Sequence, residues 1–229
     1  MTSNLAASLY LVSGVFFILA LRGLSSPETS RQGNFFGFLG MALAITVTFL
    51  SIDIFFGSFV FIICALAIGG SIGVIIAYRI SMTAMPQLVA GFHSFVGLAA
   101  VLVALSAFYN PEAFELGAFN NIKIASLVEM SIGASIGAIT FTGSVIAFLK
   151  LQGIMSGAPI TFRGQHIINL LIIIGVVFLV IYITINQSNQ IFWMLIISSF
   201  LIGVLLIIPI GGADMPVVIS MLNSYSGWA

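Results

Sequence analysis

The sequence predicts an all-α integral membrane protein, a polytopic helical bundle, because its composition leaves too few polar residues to cover a soluble domain. Of 229 residues, 61% are hydrophobic and 5% are charged, whereas roughly 25% of the residues of soluble domains are charged. A membrane-spanning helix needs ~20 mostly apolar residues. Seven apolar runs are predicted to be complete spans: Asn4–Leu21, Phe35–Leu50, Phe59–Tyr78, Met85–Tyr109, Ile124–Leu149, Ile167–Ile185 and Ile191–Ile210.

An eighth apolar run begins at Met215 and still continues at Ala229. We therefore expect a truncated eighth span, and we interpret residues 1–229 as one transmembrane domain of a longer polypeptide. The second predicted span is short, and its end toward Asp53 is the least defined boundary.

The basic residues predict the orientation of these spans. With the N-terminus outside, only Lys123 lies in an outer connection, and such a bias toward positive cytoplasmic loops is general in membrane proteins. The basic residues on the cytoplasmic side are then Arg22, Arg31, Arg79, Lys150 and Arg163. A net charge of zero argues against nucleic acid as a partner. Cys64 is the only cysteine, which argues against disulfides and cysteine-based metal sites.

A repeated motif contains the most unusual polar residue of the chain. MPQLVAGFHSFVG (Met85–Gly97) returns as MPVVISMLNSYSG (Met215–Gly227), 130 residues later. His93 in the first copy matches Asn223 in the second, and each lies ~12 Å along its helix at ~1.5 Å per residue. The predicted orientation makes the two helices parallel, so both side chains are expected at similar depth. We also expect the fourth and eighth helices to be neighbours, with these two side chains facing a shared interior space. An imidazole inside a bilayer is a functional hypothesis by default, and the alternative is a histidine that only packs helices together.

Other polar residues in the spans extend this hypothesis toward proton transfer. A histidine has an unperturbed pKa of ~6.5, which suits loading and unloading of protons near neutral pH. Glu129 is predicted ~9 Å from the outer end of the fifth span, and Asp214 lies at the entrance of the eighth. Hydroxyls along the fifth span are candidates for ordering waters, although each is as readily explained by bonds to a helix backbone. These hydroxyls belong to Ser131, Ser135, Thr142 and Ser144.

Small residues predict close helix packing at two places. IGGSIG contains Gly69 and Gly73 four residues apart, and IGASIG contains Gly133 and Gly137 at the same spacing. Such pairs let helix backbones approach each other within membranes.

Four stretches resemble one known family over the whole length of the chain. They are GLSSPETSRQGN (Gly23–Asn34), MTAMPQLVAGFHSFVGLAAVLV (Met82–Val103), GAITFTGSVIAF (Gly137–Phe148) and GGADMPVVISMLNSYSGWA (Gly211–Ala229). In these residues the sequence is similar to the membrane domain of the beta subunit of proton-translocating NAD(P) transhydrogenase. This family couples hydride transfer from NADH to NADP+ to proton movement across a membrane.

The resemblance implies specific roles and partners. His93 matches the membrane histidine of the family, Asn223 its functional asparagine, and Asp214 the acidic residue near the junction with the nucleotide domain. The family implies an alpha subunit, a dimer of alpha–beta units, and soluble domains that bind NAD(H) and NADP(H). Those domains are absent from residues 1–229, so we expect no nucleotide to bind to this chain. A separate beta chain is typical of a bacterial inner membrane, with a mitochondrial-type fusion as the alternative.

Two interpretations from other classes remain open at the level of sequence. The parallel repeat and its polar pair also fit a secondary transporter, in which a solute site lies near the midplane between broken helices. A structural membrane subunit, with His93 in a packing role, is the other alternative.

The orientation is testable with single cysteines in a variant that lacks Cys64. We expect Ser30→Cys to react with an impermeant thiol reagent from the cytoplasmic side and Glu115→Cys from the outside, because the basic residues set this topology. The measurement is labelling in right-side-out and inverted vesicles. Labelling of both positions from one side contradicts the predicted topology.

Overall fold

The structure is a computed structural model that describes residues 2–51, 56–118 and 120–227. Within these ranges the chain forms eight α-helices and one short antiparallel hairpin. The helices are α1 Ser3–Leu24, α2 Ser30–Ser51, α3 Phe56–Arg79, α4 Met85–Tyr109, α5 Ile124–Leu151, α6 Gln165–Ile185, α7 Asn189–Ile207 and α8 Met215–Ser226. The hairpin strands are β1 Gly117–Ala118 and β2 Asn121–Ile122, in which Gly117 pairs with Ile122 and Ala118 with Asn121.

The helices confirm the predicted all-α membrane architecture. In the described part of the chain, the helices α1 to α7 are long and apolar enough to cross a bilayer. Most boundaries fall within a few residues of the predicted ones, and α4 coincides with its prediction. The region around Asp53 lies outside the described residues.

Among the boundaries that differ from the prediction are the start of α2 and the ends of α7 and α8. Helix α2 begins at Ser30 instead of Phe35, because the polar residues directly before Phe35 are also helical. Helix α7 ends at Ile207 instead of Ile210, because Pro209 lacks the N–H donor that would continue the helical hydrogen bonds. Helix α8 ends at Ser226, where the prediction had it continue to Ala229, and Gly227 caps it.

Helices α1, α2 and α3 belong to a first compact unit, residues 1–78. Helices α1 and α2 pack antiparallel, with a backbone contact between Gly23 and Gly33: a Cβ atom on Gly23 would lie 2.6 Å from the Gly33 Cα. The buried Ser13 hydroxyl donates a 2.7 Å hydrogen bond to the Gly40 carbonyl. The pair is therefore joined by close glycine contacts and an interhelical hydrogen bond.

Helix α3 contacts the end of α2 through aromatic side chains. The rings of Phe49 and Phe59 meet edge to face at 5.8 Å. A Cβ atom on Gly69 or Gly73 would meet no atom of the described residues within 4 Å. The close helix packing that the sequence predicted for these two glycines is therefore absent from the described part of the chain.

The second compact unit, residues 79–229, is organised around α5. Helix α5 contacts α4, α6, α7 and α8. The α4–α5 contact is so close that a Cβ atom on Gly97 would lie 2.6 Å from the Phe141 N atom, and one on Gly137 would lie 2.8 Å from the Gly97 carbonyl. Helix α7 approaches α5 in the same way at Gly203, which faces the Ile139 carbonyl. Close packing at Gly137 thus agrees with the sequence-based prediction.

Two apolar clusters hold this unit together at opposite ends of α5. In one of them Phe108 and Phe192 stack with ring centroids 4.3 Å apart, surrounded by residues of α4 to α7. In the other, which we call the Met215 cluster, Ala90 of α4, Ala147 of α5 and Leu222 of α8 pack with the fully buried Met215. The Met215 cluster fixes α8 against the rest of the bundle.

The α4–α5 contact predicts a large penalty for added side-chain volume. Gly97→Ala and Gly137→Ala should each destabilise the protein by ~1–3 kcal/mol, as overpacking of a tight core does, since each new Cβ atom would meet backbone at 2.6–2.8 Å. Unfolding in detergent measures the effect. Gly175→Ala in α6 is the matched control, because its Cβ atom would meet no described residue within 4 Å. Equal stability of all three variants contradicts the tight contact.

Candidate functional site

His93 lies on the buried face of α4, where this helix meets α5 and α8. It is four residues before Gly97, so the two share one helix face, and Gly97 touches the α5 backbone. The imidazole is 6% exposed and approaches the backbone of Leu222 in α8. Its Nε2 atom is buried and has no hydrogen-bond partner among the described residues.

Asn223 follows Leu222 and faces a different space. Its side chain is exposed and lines a cavity of about 470 Å³ between α4 and α8, which we call the α4–α8 cavity. The cavity is lined by equivalent positions of the repeat: Pro86 and Pro216, and Val89 and Ile219. The two helices therefore begin at the same end of the bundle. They are in contact, but His93 is not among the residues that line the α4–α8 cavity with Asn223.

The hydroxyls of α5 fall into two groups. Ser135 donates to the Ser131 carbonyl at 2.8 Å, and Thr142 donates to the Phe200 carbonyl of α7 at 2.9 Å. By contrast, the buried hydroxyl oxygens of Ser131 and Ser144 have no partner among the described residues. A buried hydroxyl of this kind is a position where an ordered water commonly completes the hydrogen bonding.

Thr140 belongs to the second group and was not predicted from the sequence. Its fully buried hydroxyl has no partner among the described residues. It lies four residues before Ser144, on the same helix face, and lines a cavity of about 260 Å³ with Leu222 and Tyr225 of α8. The sequence signal that could have identified Thr140 is its spacing of four residues from Ser144, which Thr142 does not share.

Glu129 lies toward the other end of α5, away from the Met215 cluster. Its carboxylate is exposed and lines a cavity of about 420 Å³. The small side chains of Ala100, Ala104 and Ala107 on α4 open this space, and Phe114 borders it. Every other residue that lines this cavity is apolar.

Asp214 occupies the last position of a short 3₁₀ turn, Gly212–Asp214, directly before α8. A carboxylate at the N-terminus of a helix interacts favourably with the helix dipole. Asp214 is exposed. Because it directly precedes α8, it lies at the entrance of the helix that carries Asn223. Within the described ranges, the His, Cys, Asp and Glu residues form no cluster of three or more that suits a metal ion.

The comparisons with known proteins decide the family. The family model described as NAD(P) transhydrogenase beta subunit matches residues 6–229. The chain belongs to the NAD(P) transhydrogenase beta-subunit family. It is 56% identical over 229 residues to the NAD(P) transhydrogenase subunit beta of Rhodospirillum rubrum, and equally to the subunit of that name from a designated strain of the same organism.

The alignment with these relatives is complete for this chain and partial for them. It covers 100% of this chain and 49% of each relative. The chain therefore spans about half the length of the transhydrogenase beta subunits it matches. Membership of the family confirms the resemblance seen in the four sequence stretches.

The two groups of α5 hydroxyls predict different effects of the same substitution. Thr142→Val removes a bond to the α7 backbone and should lower the free energy of unfolding by ~0.5–1.5 kcal/mol. Thr140→Val removes a hydroxyl without a protein partner and should leave that free energy nearly unchanged. Denaturation of both variants in detergent measures the difference. A larger loss of unfolding free energy for Thr140→Val than for Thr142→Val contradicts the grouping of Thr142 as bonded and Thr140 as unpartnered.

Proposed function

We propose that this chain is the proton-conducting part of a membrane-bound NAD(P) transhydrogenase, with His93 as the proton carrier. The observation that carries the proposal is the buried imidazole of His93, whose Nε2 atom has no partner among the described residues. A histidine that served packing alone is expected to direct both ring nitrogens to fixed partners, because an unpaired buried polar atom is costly. An unpartnered nitrogen at the meeting point of three helices suits exchange of a proton with water.

The path toward His93 is proposed to run along α5. Thr140 and Ser144 place unpartnered hydroxyls on one face of that helix, and Thr140 lines the cavity that also contains Leu222. Since the His93 ring approaches Leu222, waters at these hydroxyls are the proposed link to the imidazole. Hydroxyl groups both donate and accept hydrogen bonds, so they can orient water without taking up charge.

Asn223 is proposed to set the environment of His93 through α8. An amide cannot titrate at physiological pH, but it donates and accepts hydrogen bonds. Asn223 lines the α4–α8 cavity, and its neighbour Leu222 contacts the His93 ring through its backbone. A change in the hydrogen bonding of Asn223 is thereby transmitted through the Leu222 backbone to the His93 ring.

Glu129 and Asp214 are proposed to serve the two ends of the path. Glu129 lines a separate cavity beyond the Gly97–Gly137 contact, and an intramembrane carboxylate is expected to face protein interior or water. Asp214 precedes α8 at the end where α4 also begins. Under the predicted orientation, Glu129 belongs to the outer half of the path and Asp214 to the cytoplasmic entrance.

The redox chemistry is assigned to parts of the enzyme outside residues 1–229. We propose that the complete protein joins this domain to soluble domains that bind NAD(H) and NADP(H), and that it transfers hydride from NADH to NADP+. An alpha subunit and the lipid bilayer are the proposed partners, in a dimer of alpha–beta units in a bacterial inner membrane. We assign no nucleotide site to this chain, since its candidate polar residues lie within or beside the membrane helices.

The decisive experiment uses His93→Ala in the complete enzyme, reconstituted into vesicles. We expect the variant to insert normally but to lose proton uptake during transhydrogenation, because the substitution removes the group proposed to carry the proton. Asn223→Ala should impair the same coupling less completely, since the proton carrier remains. Proton uptake, hydride transfer and expression level are measured together.

Ser94→Ala is the matched control, because the Ser94 hydroxyl bonds to the Gly91 carbonyl of its own helix turn at 2.7 Å. This variant should pump like the parent enzyme. Normal pumping by His93→Ala ends the proposed mechanism. A loss of activity that only follows a loss of protein supports the packing role instead.

A further inference from the structure

Lys150 is a buried ammonium group that proton transfer through His93 does not use. It lies in the last turn of α5 and is 4% exposed. In the sequence it serves only as a marker of the cytoplasmic side. A charge is costly to bury unless its donors are satisfied, so its partners define what it does.

The partners of Lys150 are carbonyls from two separate connections. Its Nζ atom donates to the carbonyls of Ile208 and Ile210, both at 2.7 Å, and to the carbonyl of Ala158 at 3.3 Å. An ammonium group has three donors, so these three acceptors satisfy it. Ala158 belongs to the α5–α6 connection, while Ile208 and Ile210 belong to the α7–α8 connection.

Backbone contacts join the same two connections. Gly212 donates to the Gly157 carbonyl at 2.8 Å, and Ile160 donates to the Ile208 carbonyl at 3.2 Å. A Cβ atom on Gly212 would lie 3.2 Å from the Gly157 Cα. We call Lys150 together with these backbone contacts the Lys150 clamp.

The Lys150 clamp ends directly at the start of α8. From Ile210 the chain passes through the turn Gly212–Asp214 into Met215, which is fully buried in the Met215 cluster. The Ile208 carbonyl lies at the C-terminal end of α7, where the helix dipole is negative, so a lysine there is favourable. The ammonium thus holds the segment that determines where α8 begins.

We propose that Lys150 is a positioning residue for proton translocation, which sets the position of α8 and thereby of Leu222 and Asn223 relative to His93. The functional part of this inference rests on the proposed function. The hydrogen bonds from Lys150 to the three carbonyls are seen in the structure and do not depend on the proposed function. Because Lys150 is on α5, the clamp also fixes α8 to the helix that carries Thr140 and Ser144.

The test compares Lys150→Met with Lys150→Arg in the complete enzyme without Cys64, carrying Ile219→Cys as a reporter in α8. Ile219 is 4% exposed and lines the α4–α8 cavity. Lys150→Met keeps the apolar stem and removes all three donors. We expect the rate of thiol labelling at the Ile219→Cys reporter to rise ~10-fold. The buried carbonyls left without donors destabilise the native position of α8, so states in which the reporter is accessible become about ten times more populated. The ratio of protons translocated to hydride transferred should fall as well.

Two further variants make the test specific. Lys150→Arg supplies donors to the same carbonyls, so it should restore labelling and the proton-to-hydride ratio toward the parent values. Lys123→Met is the matched control: the Lys123 ammonium is exposed and donates to the Glu115 carbonyl at 3.2 Å, and its loss should change neither readout.

Parental labelling and pumping in Lys150→Met overturn the inference. Increased labelling with an unchanged proton-to-hydride ratio also overturns it, because the position of α8 would then not matter for translocation. If Lys150→Met increases labelling while His93→Ala pumps normally, the positioning of α8 by Lys150 stands. The proposed function is then refuted instead.

Discussion

The contact between Gly97 of α4 and Gly137 of α5 is the constraint on which the rest of the second unit depends. It brings two helix backbones together, and it directs the buried stripe of α4 toward α5. His93 lies on that stripe, one turn before Gly97, so the same contact determines where the imidazole points. Helix α8 completes the site from the other side, because Leu222 packs near Gly143 of α5 and its backbone faces His93.

A bilayer interior provides no water to satisfy stray polar atoms, so the polar atoms of the second unit must be paired within the protein or hydrated within it. Some of its hydroxyls and amides are paired within the protein. Thr142 bonds to α7, and the Gln187 amide exchanges hydrogen bonds of 2.9 and 3.1 Å with the backbone of Ile122. The buried atoms without a partner among the described residues include those of His93, Thr140 and Ser144, and also those of Ser131 on α5, Asn169 on α6 and Ser199 on α7.

The sequence predicted the helices well, because membrane spans are recognised by length and apolar composition alone. It also predicted the pairing of α4 with α8, since the repeat placed one Met-Pro motif at the start of each. It did not predict which hydroxyl of α5 is bonded, because Thr140 and Thr142 differ only in helix face. Nor did it predict the role of Lys150, whose acceptors are backbone carbonyls 58 and 60 residues away. The expected close packing at Gly69 is likewise a tertiary property, which a small-residue spacing permits but does not enforce.

We propose that His93 exchanges its proton with water held at the α5 hydroxyls. An experimental structure of the complete enzyme, at a resolution that shows ordered waters, tests it most directly. We predict a water within hydrogen-bond distance of the His93 Nε2 atom, continued by waters at the hydroxyls of Thr140 and Ser144. A His93 ring with both nitrogens bonded directly to protein groups, in a dry apolar contact with α5 and α8, would contradict the account.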